Sequence, residues 1–217
     1  MKKLFSTTLA LLLGASLTAQ ITFGPRAGFN LTNISMKFSN ISVDNNFKAG
    51  LQVGAVVDIP ILEDFYAIRS TDLFSIQTGL LLTQKGGRIP NFLGPGMNST
   101  VNINYLEIPL NQQLFVEIVG DTRLILQTGL HLGFALGGTI KTESSGRTQT
   151  QDIEFGSNDN EWKPLNLGIN LGVGVEFLNF QVMAGYSVGF TNLSNISGMT
   201  MRNSGFAFTV TYLFDLF

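Results

Sequence analysis

Residues 165–177, LNLGINLGVGVEF, alternate strictly between two kinds of side chain. Leucine, isoleucine, valine or phenylalanine occupies every odd position, and glycine, asparagine or glutamate occupies every even one. A period of two predicts a β-strand with one apolar face and one small, polar face. The segment is longer than the usual strand of about 5–6 residues, and it suits a strand that crosses a bilayer at a tilt, which needs about 9–11.

Similar alternation recurs along the rest of the chain. Seven further segments show it, at 21–31, 47–58, 70–84, 103–118, 123–137, 180–191 and 204–217. The connections between the eight segments are alternately long and short, as in outer-membrane barrels with their short periplasmic turns and long outer loops. We therefore predict an all-β fold, an eight-stranded antiparallel up-and-down transmembrane β-barrel with both termini periplasmic. Pro109 lies inside the fourth segment and predicts a bulge or kink there.

The alternative architecture is a soluble β-sandwich or a lipocalin-like barrel, which would turn its apolar face inward. The glycine-rich second face would then form the surface, for which it is poorly suited. Composition agrees with a membrane location, because charged residues make up only 13% of the chain instead of the usual quarter or so. The chain has no cysteine and therefore no disulfide framework, and it shows no basic stripe for nucleic acid.

The N-terminus has the features of a secretory signal. Two lysines precede an apolar run at 4–17, and Ala19 suits the small-residue position before a cleavage site. The run is short of the roughly 18–20 residues that a membrane-anchoring helix needs. We predict a signal peptide at 1–19 and a barrel domain at 20–217.

Several phrases resemble the PorT-like outer membrane β-barrel family of Gram-negative bacteria. They are GPRAGFN at 24–30, NYLEIPL at 104–110, LQTGLHLGFALGG at 126–138, LGINLGVGVEF at 167–177, AGYSVGFTNLS at 184–194 and NSGFAFTVTYLF at 203–214. The resemblance implies an eight-stranded barrel in the outer membrane and no particular activity, although one member serves a gliding-associated secretion system. The chain departs from the family by continuing beyond Phe214 to Phe217.

Five ionisable residues fall on the predicted inward face. They are Arg26, Lys48, Glu107, His131 and Glu176. Side chains fill the interior of an eight-stranded barrel, and buried charges there need partners. We therefore predict a structural charge network in the lumen, with Arg26 bracketed by Glu107 and Glu176. A narrow path for protons or ions is the alternative.

His131 is the only histidine of the chain. A lone histidine is a weak metal site, and a catalytic base also needs a nucleophile and an orienting group. We therefore predict a hydrogen-bonding histidine, with no metal, no cofactor and no catalysis. An enzyme acting on membrane lipids remains the alternative.

The longest predicted loop, 138–163, is acidic. It carries Glu143, Asp152, Glu154, Asp159 and Glu161 beside Trp162. Loops on a rigid scaffold often carry binding, so these six residues are the predicted binding site for a partner or a divalent cation. The alternative is a solvated loop that lipopolysaccharide repels, or that cations bridge to it.

The predicted function is that of a structural or loop-binding barrel in the outer membrane of a Gram-negative bacterium. Its expected contacts are outer-membrane lipid, lipopolysaccharide and an envelope protein at the outer loops, and it is expected to be a monomer. A small pore or transporter and a secretion-system accessory barrel are alternatives.

Overall fold

A computed structural model describes residues 21–38, 41–43, 45–61, 73–91, 94, 96–144, 146–159 and 161–215. The predicted signal peptide and Phe217 lie outside these residues. Within these ranges, no helix is long and apolar enough to cross a membrane.

The described residues form eleven β-strands. They are β1 (Thr22–Phe38), β2 (Ile41–Val43), β3 (Lys48–Pro60), β4 (Phe74–Ile89), β5 (Met97–Val119), β6 (Thr122–Ser144), β7 (Arg147–Asp152), β8 (Leu165–Phe177), β9 (Phe180–Gly189), β10 (Met199–Tyr212) and β11 (Phe214–Asp215). Eight of them pair in the antiparallel order β1-β3-β4-β5-β6-β8-β9-β10. The ring closes where β10 pairs with β1, from Arg26↔Thr211 to Phe38↔Met199. The predicted eight-stranded barrel is confirmed.

The two ends of the barrel differ. At the turn end, residues 120–121 join β5 to β6, and residues 178–179 join β8 to β9. At the extended end, the longest strands run past the other strands: β6 continues to Ser144 and folds back into β7. The predicted alternation of short and long connections holds only in part, because the connection between β3 and β4, also at the turn end, spans residues 61–73.

The outer face of the ring is apolar between these ends. All seven odd-numbered side chains of β8 are exposed, namely Leu165, Leu167, Ile169, Leu171, Val173, Val175 and Phe177. Near the turn end, aromatic rings contact each other at steep angles, with centroids 4.7 Å apart for Phe180 and Tyr212 and 4.7 Å apart for Tyr212 and Phe214. Aromatic girdles of this kind mark the membrane interface of outer-membrane barrels.

The alternation reverses its polarity at the extended end. On β5, Asn98, Thr100 and Asn102 face out while Val101 and Ile103 are buried. On β1, exposed Ser35 and Lys37 likewise alternate with buried Ile34 and Met36. The chain therefore continues as sheet beyond the apolar band, with water outside and an apolar core inside.

Because of this reversal, the strands extend beyond the boundaries predicted from the sequence. The sequence predicts loops at 32–46, 85–102, 138–163 and 192–203, yet each of these ranges contains strand. The prediction was wrong there because an apolar outward face stops at the lipid boundary, whereas β-pairing does not.

Pro109 does not produce the predicted bulge. It pairs in register with His131, and the nearest register shift lies at Asn104/Tyr105. The ladder between β4 and β5 instead skips from Thr78↔Leu110 to Leu81↔Glu107 without a shift. The Thr78 hydroxyl donates to the Pro109 carbonyl at 2.8 Å, so this carbonyl has a hydrogen-bond donor where the ladder is interrupted.

Candidate functional site

A chain of polar side chains crosses the interior near the turn end. Gln77 on β4 donates to Asp58 on β3 at 3.1 Å and to Gln181 on β9 at 3.0 Å. Gln181 in turn donates to Glu176 at 2.9 Å, and the Arg123 guanidinium pairs with the same carboxylate. Because all these strands point polar side chains inward, the network ties opposite walls of the barrel together.

Arg26 joins this network through neutral partners. Its Nε donates to the Thr211 hydroxyl at 2.8 Å, and its Nη2 donates to the Gln77 side-chain carbonyl. Glu107 pairs instead with Lys85, and Glu176 with Arg123. The predicted bracketing of Arg26 by Glu107 and Glu176 was therefore wrong.

A second polar group lies nearer the extended end. Lys85 Nζ and Glu107 Oε2 are 2.8 Å apart, with both side chains about 5% exposed. His131 Nδ1 lies 2.8 Å from the Asn170 side-chain oxygen. Gly168 makes room for the imidazole, because a Cβ there would lie 2.3 Å from its Cε1 atom. His131 is thus packed and hydrogen-bonded inside the wall.

Three charged members of the interior were missed by sequence reasoning, and one predicted member lies apart. The interior ion pairs and hydrogen bonds also include Lys85, Asp58 and Arg123. Asp58 and Lys85 lie in phase with the inward residues of β3 and β4, so extending the alternation along these strands would have placed both side chains inward. Arg123 stands directly opposite Glu176 in the β6–β8 register. Lys48 is half-buried at the start of β3, where its Nζ donates to the Ala49 carbonyl.

Between the two polar groups lies a narrow cavity of ≈ 70 Å³. It is lined by residues from several strands, among them Arg26 on β1, Glu107 on β5, Gln127 on β6 and Gly172 on β8. A buried water occupies about 10–15 Å³ on this measure, so the cavity holds only a few waters.

An apolar plug fills the interior at the extended end. Its buried members are Ile34, Met36, Ile89, Val101, Ile103, Tyr105, Ala135, Ile153, Leu193 and Met201. Trp162 and Phe155 from the connection between β7 and β8 pack against it. The lumen below is therefore covered by close-packed side chains rather than open to the outside.

The connection that carries Trp162 is tied down by backbone and side-chain contacts. Trp162 N donates to the Glu154 carbonyl at 2.8 Å, and its carbonyl accepts from Gly156 N at 2.9 Å. The Asn195 side chain donates to the carbonyls of Gly156, Asn158 and Glu161 at 3.0–3.1 Å. These hydrogen bonds hold the connection between β7 and β8 in place over the plug.

The five acidic residues of the predicted binding loop are spread over the outer part of β6, the end of β7 and the connection between β7 and β8. Glu143 pairs with Lys141 at 2.7 Å on the outer surface. Glu161 accepts from Asn158 N and Nδ2, each at 2.9 Å, and these hydrogen bonds lower the pKa of its carboxyl. Asp152 ends β7. In the part of the chain that the structure describes, no three of these side chains converge as metal ligands would.

A protein-family comparison agrees with this geometry. Residues 15–195 match the model of the outer membrane protein β-barrel domain. The chain belongs to this family. As an outer membrane β-barrel protein it resides in the outer membrane of a Gram-negative bacterium, with its apolar band in contact with lipid.

Solved structures similar to this outer membrane β-barrel protein are also small outer-membrane barrels. Ail of Yersinia pestis, solved with the heparin analogue sucrose octasulfate, is 12% identical, covers 90% of this chain and 99% of its own, and has a TM-score of 0.39. Neisserial surface protein A is 12% identical at 89% and 97% coverage, with a TM-score of 0.40. OprG of Pseudomonas aeruginosa is 11% identical at 91% and 97% coverage, with a TM-score of 0.43. No curated protein matches the sequence.

Proposed function

We propose that this protein is a non-conducting, non-catalytic barrel that binds its partner through the extended end. The observation that carries the proposal is the apolar plug that fills the extended end of the lumen. The connection between β7 and β8 covers this plug and packs against it through Trp162 and Phe155. A water-filled pore needs a polar interior along its whole length, and here the interior becomes apolar. His131 is only 1% exposed, which keeps it from a substrate and argues against a lipid-active enzyme.

The interior charges serve structure in this proposal. Two ion pairs, Lys85–Glu107 and Arg123–Glu176, offset the free-energy cost of burying their charges. The inward ionisable residues therefore stabilise the barrel wall. The acidic residues and Trp162 of the loop belong to the binding end, where the partner is an envelope protein or lipopolysaccharide. The protein acts as a monomer.

Purified protein in planar bilayers is expected to show no steady channel steps. The physical reason is that the plug leaves no continuous aqueous path for ions. The measurement is single-channel recording at high salt beside an open porin as the positive control. Unit conductance that falls in Gly172→Gln, which projects into the cavity, would contradict the proposal and favour a small pore.

The extended end faces outside in this proposal, and both termini face the periplasm. Short turns on the periplasmic side and longer segments outside are the rule for these barrels. Because the chain has no cysteine, single-cysteine labelling reads each end separately.

In intact cells, Ser197→Cys at the extended end is expected to react with a membrane-impermeant maleimide. Asp121→Cys at the turn end should react only after the outer membrane is permeabilised. Both positions are exposed, so a difference reports sidedness. The reverse pattern would place the extended end in the periplasm and end the proposal of outward binding.

The finer assignments are proposals of the same kind. The PorT-like phrases support placement within that branch of the family without transferring its secretion role. The basic and apolar N-terminus supports a cleaved signal at 1–19 ahead of a barrel domain at 20–217.

A further inference from the structure

An apolar pocket of ≈ 180 Å³ opens at the extended end, on top of the plug. Met36, Val101 and Met201 form its buried floor, and Trp162, Ile196 and Met199 form its sides. An apolar cavity of about 150 Å³ is enough to bind benzene. The pocket therefore has room for one ring or a short branched alkyl group, and not for an acyl chain.

The charged side chains at the pocket are both acidic. Asp159 and Glu161 are the two charged side chains among the described residues that line it. Both oxygens of Glu161 accept hydrogen bonds from Asn158, which fixes the carboxylate at the rim. An apolar floor below a fixed negative rim complements a molecule with an apolar body and a cationic head.

The pocket is also prepared before any ligand arrives. Asn195 holds the connection that carries Trp162 through three carbonyls. Leu193 N donates to the Met201 carbonyl at 2.8 Å, which joins the opposite side to β10. A preformed site spends little of its binding energy on ordering itself.

We propose that this pocket binds a small organic cation with one ring-sized apolar group, seated on Met201 and Trp162 with its ammonium beside Asp159 and Glu161. This inference rests on the proposed function, because the binding end must face the ligand. It names the chemical class of ligand that the extended end takes.

Trp162 provides the measurement, since it is the only tryptophan of the chain. Refolded protein in zwitterionic micelles is titrated with benzylammonium, benzyl alcohol and benzoate, which share one ring and differ in charge. Excitation at the red edge of tryptophan absorption reports this pocket alone. We expect benzylammonium to bind about five-fold more tightly than benzyl alcohol, benzoate to bind most weakly, and added salt to reduce the difference.

Two variants separate the charge from the cavity. Asp159→Asn is expected to shrink the preference for benzylammonium over benzyl alcohol. Ile196→Cys carrying a benzylthio group from a thiosulfonate reagent should abolish the response to all three, while Ser197→Cys with the same group keeps it. Equal affinity for the three probes, no response to any of them, or an unchanged response in labelled Ile196→Cys would overturn the inference. Surface labelling and the absence of conductance would then still support the proposed function, so the two can fail separately.

Discussion

Glu107→Gln is expected to destabilise the folded barrel by about 3–5 kcal/mol, the typical cost of leaving one partner of a buried ion pair uncompensated. Lys85 would keep its charge in a site where both side chains are about 5% exposed. The measurement is the urea unfolding midpoint in micelles, together with the temperature at which the folded band disappears on a gel.

The chain supplies a matched control in an exposed ion pair. Lys141 and Glu143 are 2.7 Å apart with side chains 49% and 56% exposed, so Glu143→Gln should change stability by no more than about 1 kcal/mol. Lys85→Met combined with Glu107→Gln should recover most of the loss, because it removes the stranded charge. Equal effects of Glu107→Gln and Glu143→Gln would show that burial of the Lys85–Glu107 pair does not matter.

Ile169→Arg is expected to cost about 2–4 kcal/mol, because it places a guanidinium on the lipid face near the middle of β8. Its cross-strand neighbours, Leu130 and Val188, are apolar and give the charge no partner. The measurement is the free energy of unfolding in liposomes, where the bilayer thickness is defined.

Asn104→Arg provides the comparison on the extended end. Asn104 is exposed and points outward on β5, but it lies beyond the point where the alternation reverses. We expect a change of about 0–1 kcal/mol, since charge near the interface costs little. A large loss at Asn104 would mean that lipid reaches the extended end and that the membrane boundary is misplaced.

The architecture could be predicted from local pattern because the bilayer imposes it. A strand that crosses lipid must turn one face to hydrocarbon along its whole length, as 165–177 does, and closure then demands that neighbours do the same. The two-residue turn at Leu178 and Asn179 could be predicted for the same reason. The apolar residues occupy odd positions up to Phe177 and even positions from Phe180 onward, so one strand ends and the next begins between them.

The extended end escaped prediction because the apolar face changes sides there. Thr100 and Ile103 belong to the same strand as Leu106 and Glu107, yet the outward residue is polar above the boundary and apolar below it. A pattern sought on one face ends at that boundary, and the sheet beyond it reads as loop. For the same reason, the sequence pattern did not predict the apolar plug or the pocket above the plug.

Within the apolar band, alternation by itself determined which side chains of this protein face lipid and which face the lumen, since the pleat sends successive residues to opposite sides. Which inward residues meet was decided by the tertiary structure alone. Arg26 reaches Gln77 on a strand that is not its neighbour, and Gln77 reaches Gln181 across the lumen. Such pairings depend on the stagger of strands around the closed ring, a property of the whole barrel that no single segment records.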